Sequence, residues 1–441
     1  MSITDNLSLP REIEGTPPPT PSEPARPLTP IQIFFYSLAN LGYGAFYSFN
    51  NATLPLFLKQ FTNNPVLLGL MGSTHSVEGA IIQPLVGTAS DRLRSRWGRR
   101  RPFMLLFTPL SALFLLLTPA AIHLPSGVRL GAIIGSIFLF TVFFNIAFDP
   151  YQALMPDITP PEQRGRVTSV WALVGVIGQA AILLLQMPLA VKFSLVAVAM
   201  LVTTLFTCQL IGERPATGDV SSSRSHWVEI GEAVRGLGIL HQARKGILVF
   251  FLSGVGIGAV LPFLTIFVQK ITGCTDHQAE MMFLVLMVAT AFGVMPAGWL
   301  ADRLGPKRVL LLGLSLIALA ALNGLWVHTL TQVGIVLFVA GLGNAAQSAS
   351  AYPLLTDIVP AEEVGFYTGL QTMALSIAQP LTVFLTGELI AHSGRHGGYR
   401  MIFFVCSISI LAALIVLAFL QMQDAPTEIA ARRAERRLSE A

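Results

Sequence analysis

PLVGTASDRLRSRWGRRRPF, residues Pro84 to Phe103, places six arginines and one aspartate between two long apolar runs. A segment so short and so basic between such flanks reads as a loop on a membrane surface. Lys/Arg-rich short loops stay cytoplasmic, so this one orients the helices beside it. Its spacing recurs: Gly298, Asp302 and Arg303 repeat Gly87, Asp91 and Arg92, and Lys307 and Arg308 complete a second basic loop. One such loop in each half describes a duplicated membrane protein.

Composition agrees. The chain has 441 residues, 53% of them hydrophobic and only 12% charged, about half the charged share of a soluble domain. A mean hydropathy of +0.65, with apolar runs of about twenty residues, makes lipid the main solvent and spanning helices the expected element. The net charge of +4 is gathered at helix ends, which argues for membrane topology and against a nucleic-acid partner. Cys208, Cys274 and Cys406 are scattered and form neither a disulfide framework nor a zinc pattern. Residues 1–29 are Pro-rich, lack an apolar stretch and read as a disordered cytoplasmic tail without a cleavable signal. The sequon-like Asn51-Ala-Thr53 falls inside a span and reads as chance.

Twelve spans are expected, at 31–58, 66–90, 102–123, 129–155, 166–188 and 191–212, then 246–270, 277–300, 307–328, 331–356, 365–391 and 398–422. They fall into an N-terminal six-helix bundle (30–212) and a C-terminal one (246–422), joined by a polar cytoplasmic linker (213–245) and followed by a cytoplasmic tail (423–441). The linker's piece from Trp227 to Leu240 is weakly amphipathic and suits the membrane surface. With both termini inside, 22 Lys and Arg lie inside and six outside, Lys59, Arg129, Lys192, Lys270, Arg395 and Arg400. That bias satisfies the positive-inside rule and implies a multi-pass plasma or inner membrane protein.

The halves align on one another. Pro55 and Pro262, each in an Ala-x-Leu-Pro sequence, lie 207 residues apart; Asp91 and Asp302 lie 211 apart. DITPPEQRG from Asp157 echoes DIVPAEEVG from Asp357 at 200, an offset that also places Gln179 on Gln379. Two six-helix halves related by an axis along the membrane normal resemble the major facilitator superfamily. The alternative is a channel or receptor with repeated helices.

A charge at mid-bilayer costs roughly 2.5–3.5 kcal/mol, so it needs a partner or a wet cavity. His75 and Glu78 share one side of span 2; Asn145, Asp149 and Gln152 form a stripe on span 4. Tyr43, Tyr47, Asn50 and Asn51 occupy span 1 at comparable spacing. Convergence of these stripes on a central cavity is the expectation. Glu78 or Asp149 then carries a proton, loaded and released on opposite sides, with His75 bonded to the acid or to substrate. The competing reading ties helices together within one half, and Asp149 can serve the ladder broken at Pro150. Asn344, Gln347, Gln371 and Gln379 supply amides from the second half; amides donate and accept, as sugar hydroxyls require, but also join helices. Trp171 and the tyrosines can stack on a sugar face or merely pack. Glu388 and His392 are expected near the outer surface.

Gly254, Gly256 and Gly258 follow no strand and read as close packing or bending points, not a nucleotide fingerprint. No GxxxxGK[ST] occurs, so ATP-driven pumping is unsupported. HSVE is not HExxH, and no metal site or cofactor is expected. At the cytoplasmic helix ends Gly87, Asp91, Arg92, Arg99, Arg100, Arg101, Asp157, Glu162, Arg164 and Arg166 face Gly298, Asp302, Arg303, Asp357, Glu362 and Glu363 as candidates for a gate joining the halves. Orientation by positive charge explains part of the arginine excess, but does not require an aspartate at the same place in both halves.

IIQPLVGTASDRLRSRWGRRRPF (Ile81–Phe103) closely resembles the span 2–3 signature of sucrose/proton symporters, VQPxVGxxSDxxxSxxGRRRPF. DPYQALMPDITPPEQRGR (Asp149–Arg166) resembles the span 4–5 region of the glycoside–pentoside–hexuronide cation symporters. The resemblance places Gln83, Pro84, Gly87, Ser90, Asp91, Gly98 and Arg99 to Arg101 on the signature. It implies proton-coupled uptake of a glycoside, such as sucrose or maltose, through alternating access; separately, the chain is expected to be a monomer. Two departures stand out: Gln152 occupies the place of an arginine in plant sucrose carriers, and their span 4 acid falls near Thr141 rather than at Asp149. A proton-driven exporter of drugs or other amphipathic compounds is the alternative on the same fold; a non-transporting membrane sensor is a third.

Overall fold

A computed structural model describes residues 27–213, 241–359, 364–393 and 398–421; of 75–81, 83, 84, 88, 91, 92, 161, 241, 365 and 366 it describes the backbone only. The expected amphipathic piece, Trp227 to Leu240, and Glu362 and Glu363 lie outside the described residues.

The first half runs α1 (Pro30–Ser48), a π-helical turn (Phe49–Thr53), α2 (Leu54–Leu58), α3 (Pro65–Arg92), α4 (Arg101–Ala120), α5 (Ser126–Ile158), α6 (Arg164–Leu184) and α7 (Leu189–Leu210). The second runs α8 (His241–Val260), a 3₁₀ turn (Leu261–Phe263), α9 (Leu264–Thr272), α10 (Asp276–Leu304), α11 (Pro306–Gly324), α12 (Leu330–Ile358), α13 (Val364–His392) and α14 (Met401–Ala418). Among the described residues ten helices are long and apolar enough to cross a membrane. With the interrupted first span and α3, the chain is a twelve-span, all-helical membrane protein. Helix α8 begins at His241, inside the stretch assigned from sequence to the linker.

Local chemistry sets the starts. Thr29, Thr275 and Thr329 each close a capping box with the glutamine three residues on, Gln32, Gln278 and Gln332. Asn64 caps α3 ahead of Pro65. The two prolines aligned from sequence mark equivalent breaks. Pro55 has no N–H for the Asn51 carbonyl, and the chain just before it widens so that Leu54 N–H donates to Phe49 O, five residues back. Pro262 sits in the 3₁₀ turn that divides the seventh span.

Helix pairing repeats between halves. In the first, α1 packs on α6 and α7, α3 and α4 on α5, and α4 on α7; in the second, α8 packs on α13 and α14, α10 and α11 on α12, and α11 on α14. The halves meet through α3 against α13 and, at the equivalent place, α10 against α6. Close approach needs glycine at the α1–α6 crossing, where a Cβ on Gly44 would strike the Gly175 carbonyl. A Cβ on Gly254, Gly256 or Gly258 would press on Ala378, Ile410 or Gln379, so these glycines are packing points. Trp97 and Trp299 near the arginine-rich end and Trp326 at the far end are exposed, as anchors at the two interfaces are.

Candidate functional site

A cavity of about 560 Å³ lies between the halves. Tyr43, Tyr47 and Trp171 supply rings to its wall, and Asn145, Gln152 and Gln179 supply amides from α5 and α6. Across from them α13 contributes Thr372, Leu375, Ser376 and Gln379. No residue lining it, among those described, carries a formal charge. Amides and aromatic faces without charge suit a neutral solute with many hydroxyls.

Seven of the twelve candidate substrate residues therefore share one cavity, and five do not. Asn50 donates to Gly72 O at 3.2 Å and Asn51 to Tyr47 O at 2.8 Å, both nearer the far end, in the π-helical turn. Asn344 reaches Thr290 at 3.4 Å and Gln347 reaches Ser253 at 3.2 Å, joining α12 to α10 and to α8. Gln371 lies on α13 and is absent from the cavity wall. Asn40, Thr372 and Ser376 line the cavity without having been singled out. Asn40 donates to Trp171 O at 2.8 Å and packs on Gly175; its one-turn spacing from Tyr43 and Gly44 was the available signal.

Asp149 sits between Asn145 and Gln152 on α5, half-buried and with Oδ2 buried, but off the cavity wall. His75 and Glu78 are on α3, their side chains outside those described.

At the arginine-rich end, Asp157 holds Arg99 Nη2 at 2.6 Å and Arg100 Nε at 3.2 Å, and Arg100 Nη1 reaches Ser90 Oγ at 2.5 Å. These ion pairs lie within the first half. Glu213, overlooked in the sequence, accepts the backbone N–H groups of Arg99, Arg100 and Arg101 at 2.9, 2.9 and 3.2 Å and so caps α4 with a carboxylate. The Arg101 guanidinium binds Cys208 O, and Arg164 binds Pro156 O at 3.3 Å. Arg303 stacks on Trp299 of its own helix at 3.7 Å; Arg166, Asp302 and Asp357 are exposed. Asp91 and Arg92 end α3, their side chains outside those described. A Cβ on Gly87 or Gly298 would meet nothing within 4 Å.

The far end is sealed by contacts that do cross the halves. Val66 packs on Gly387, and Gly69 on Phe263 and Val383. Lys59 Nζ donates to Gln269 at 2.7 Å, and Gln269 to Asp276. Burial, reinforced by Lys270, holds the Lys59 ammonium below the ordinary lysine range. Lys192, counted from sequence among the six outer-side charges, is buried in the first turn of α7 and bound to Glu280 at 2.5 Å. Glu280 also accepts from Thr53 Oγ1 at 2.6 Å. The signal was a carboxylate inside an apolar span; its partner lies 88 residues away.

A family profile described as Major Facilitator Superfamily matches residues 36–243 and 246–440, one half each. The chain is 26% identical to the lactose permease of Lactobacillus helveticus over 170 residues, which cover 35% of this chain and 26% of that protein. It is 26% identical to the multidrug resistance protein MdtG of Citrobacter koseri over 333 residues, 71% of this chain and 76% of that one. Among solved structures, the nucleoside transporter NupG superposes with a TM-score of 0.70 at 12% identity, covering 89% of this chain and 99% of that chain.

Proposed function

Since the chain belongs to the Major Facilitator Superfamily, we propose that it moves a neutral sugar or glycoside together with a proton by alternating access. The uncharged cavity built by both halves carries this reading: its amides can each donate and accept, and its rings offer flat apolar faces. The sealed far end is then the outer face and the cavity belongs to the inward-facing state. The basic loops and both termini are cytoplasmic, and the protein works as a monomer in a plasma or inner membrane. Asp149, with one carboxylate oxygen buried beside the cavity's polar stripe, is the described candidate for the travelling proton; Glu78 and His75 remain candidates on α3.

The second reading, proton-driven export of amphipathic compounds, is favoured by the longer match to the multidrug resistance protein MdtG, which extends over 71% of this chain. Proteoliposomes separate the two. Sugar-driven alkalinisation of the outer medium supports symport; drug-driven proton exit from a preloaded lumen supports export. Neither signal leaves a binding protein that does not transport.

A further inference from the structure

Glu280 lies near the start of α10 and belongs to the second half, whereas both groups bonded to it, Lys192 Nζ and Thr53 Oγ1, belong to the first. Lys192 and Glu280 are each 1% exposed. Facing the carboxylate are Lys192 from α7, the neutral hydroxyl of Thr53 from the first span, and His277 from its own helix, with Nδ1 at 3.9 Å. One layer outward stand Lys59 with Gln269 and Asp276, and Lys270 beside them.

Partners on opposite halves cannot stay bonded while that end opens. The buried pair is held by its two charges; a proton on the carboxylate removes one of them. Closing over a protonated Glu280 would bury the Lys192 ammonium without its counter-charge, an arrangement far worse than the intact pair. Protonation and closure therefore oppose each other, and by linkage added protons favour whichever state leaves Glu280 in water.

On the alternating-access reading above, we propose that Glu280 is a proton-binding site, separate from the cavity, whose protonation in the state that exposes it to outer water keeps the Lys192–Glu280–Thr53 latch from re-forming and so favours the open outer face. The proton comes from outer water and binds a carboxylate oxygen; no other bond is made or broken. Acid outside then opens the side from which substrate enters.

The test places nitroxides at Leu124→Cys and His328→Cys, exposed far-end positions of the two halves, with Cys208, Cys274 and Cys406 replaced. Distances are measured by double electron–electron resonance in nanodiscs. The ratio of long to short distances should rise about threefold from pH 8 to pH 4, because the open state then binds more protons than the closed state. Glu280→Gln should enlarge the long population at both pH values and remove its pH dependence; His277→Gln should keep it. If Glu280→Gln does not fold, Lys192→Met/Glu280→Gln, which leaves no buried charge at the latch, should be equally insensitive to pH. A pH response that survives loss of Glu280, or that disappears with His277 instead, overturns the assignment. A distance that moves with added sugar but not with pH overturns the latch alone, whereas one that never moves overturns alternating access itself.

Discussion

Gln379→Leu paired with Gln371→Leu asks whether the cavity is the binding site. Both glutamines are on α13, eight residues apart, yet only Gln379 lines the cavity. Leucine keeps most of the side-chain bulk and removes both donor and acceptor. A substrate hydroxyl left unpaired in the site costs about 1–3 kcal/mol, which weakens binding roughly 5- to 150-fold. Gln179→Leu, at the matching position of the first half and also on the cavity wall, should lose a similar amount. Gln371→Leu should change affinity less than about twofold, the noise of a surface substitution. The measurement is isothermal titration of the responding sugar, backed by half-saturation of sugar exchange in proteoliposomes. Equal weakening by Gln371→Leu and Gln379→Leu, or no weakening by Gln179→Leu and Gln379→Leu together, would refute the placement of substrate in this cavity.

Other outcomes are expected. Asp149→Asn should abolish proton-driven accumulation while sparing exchange of labelled for unlabelled sugar; full accumulation in that variant would make the acid structural. A Cβ on Gly87 meets nothing within 4 Å in this state, so Gly87→Val should leave the thermal midpoint unchanged. If the other half packs there when the arginine-rich end shuts, transport should slow tenfold or more, the effect of about 1.4 kcal/mol on one state; wild-type turnover would show that this face stays open throughout the cycle. Glu213→Gln weakens the charged cap on α4 and should cost about 1–2 kcal/mol, read as a midpoint about 1–2 °C lower, with sugar affinity unchanged.

The membrane class, the twelve spans and the duplication were legible in the sequence because each is written in local pattern. A run of apolar residues as long as a bilayer is thick has one stable outcome, since backbone polar groups in lipid must bond within the segment. The proline pair at Pro55 and Pro262 was also readable: proline removes an N–H wherever it stands, and both first helices break there. Polar stripes showed which residues share a helix face. They did not show what that face meets.

The meeting of faces was decided by tertiary structure. Tyr43 and Tyr47 reach the cavity, whereas Asn50 and Asn51 enter the π-helical turn and are absorbed by the Gly72 and Tyr47 carbonyls. Gln347 and Gln379 look alike in sequence; one ties α12 to α8 and the other faces the cavity, because helix rotation is set by contacts such as Gly258 on Gln379. In sequence Lys192 counted only as one of six outer-side charges; the packing of α7 at the far end brings it to Glu280, which also accepts from Thr53. Sequence alone determines what dissolves in lipid and where the chain crosses, since those depend on neighbours along the chain. Which polar groups bind each other and which face the cavity depends on neighbours across it, and only the packed bundle supplies them.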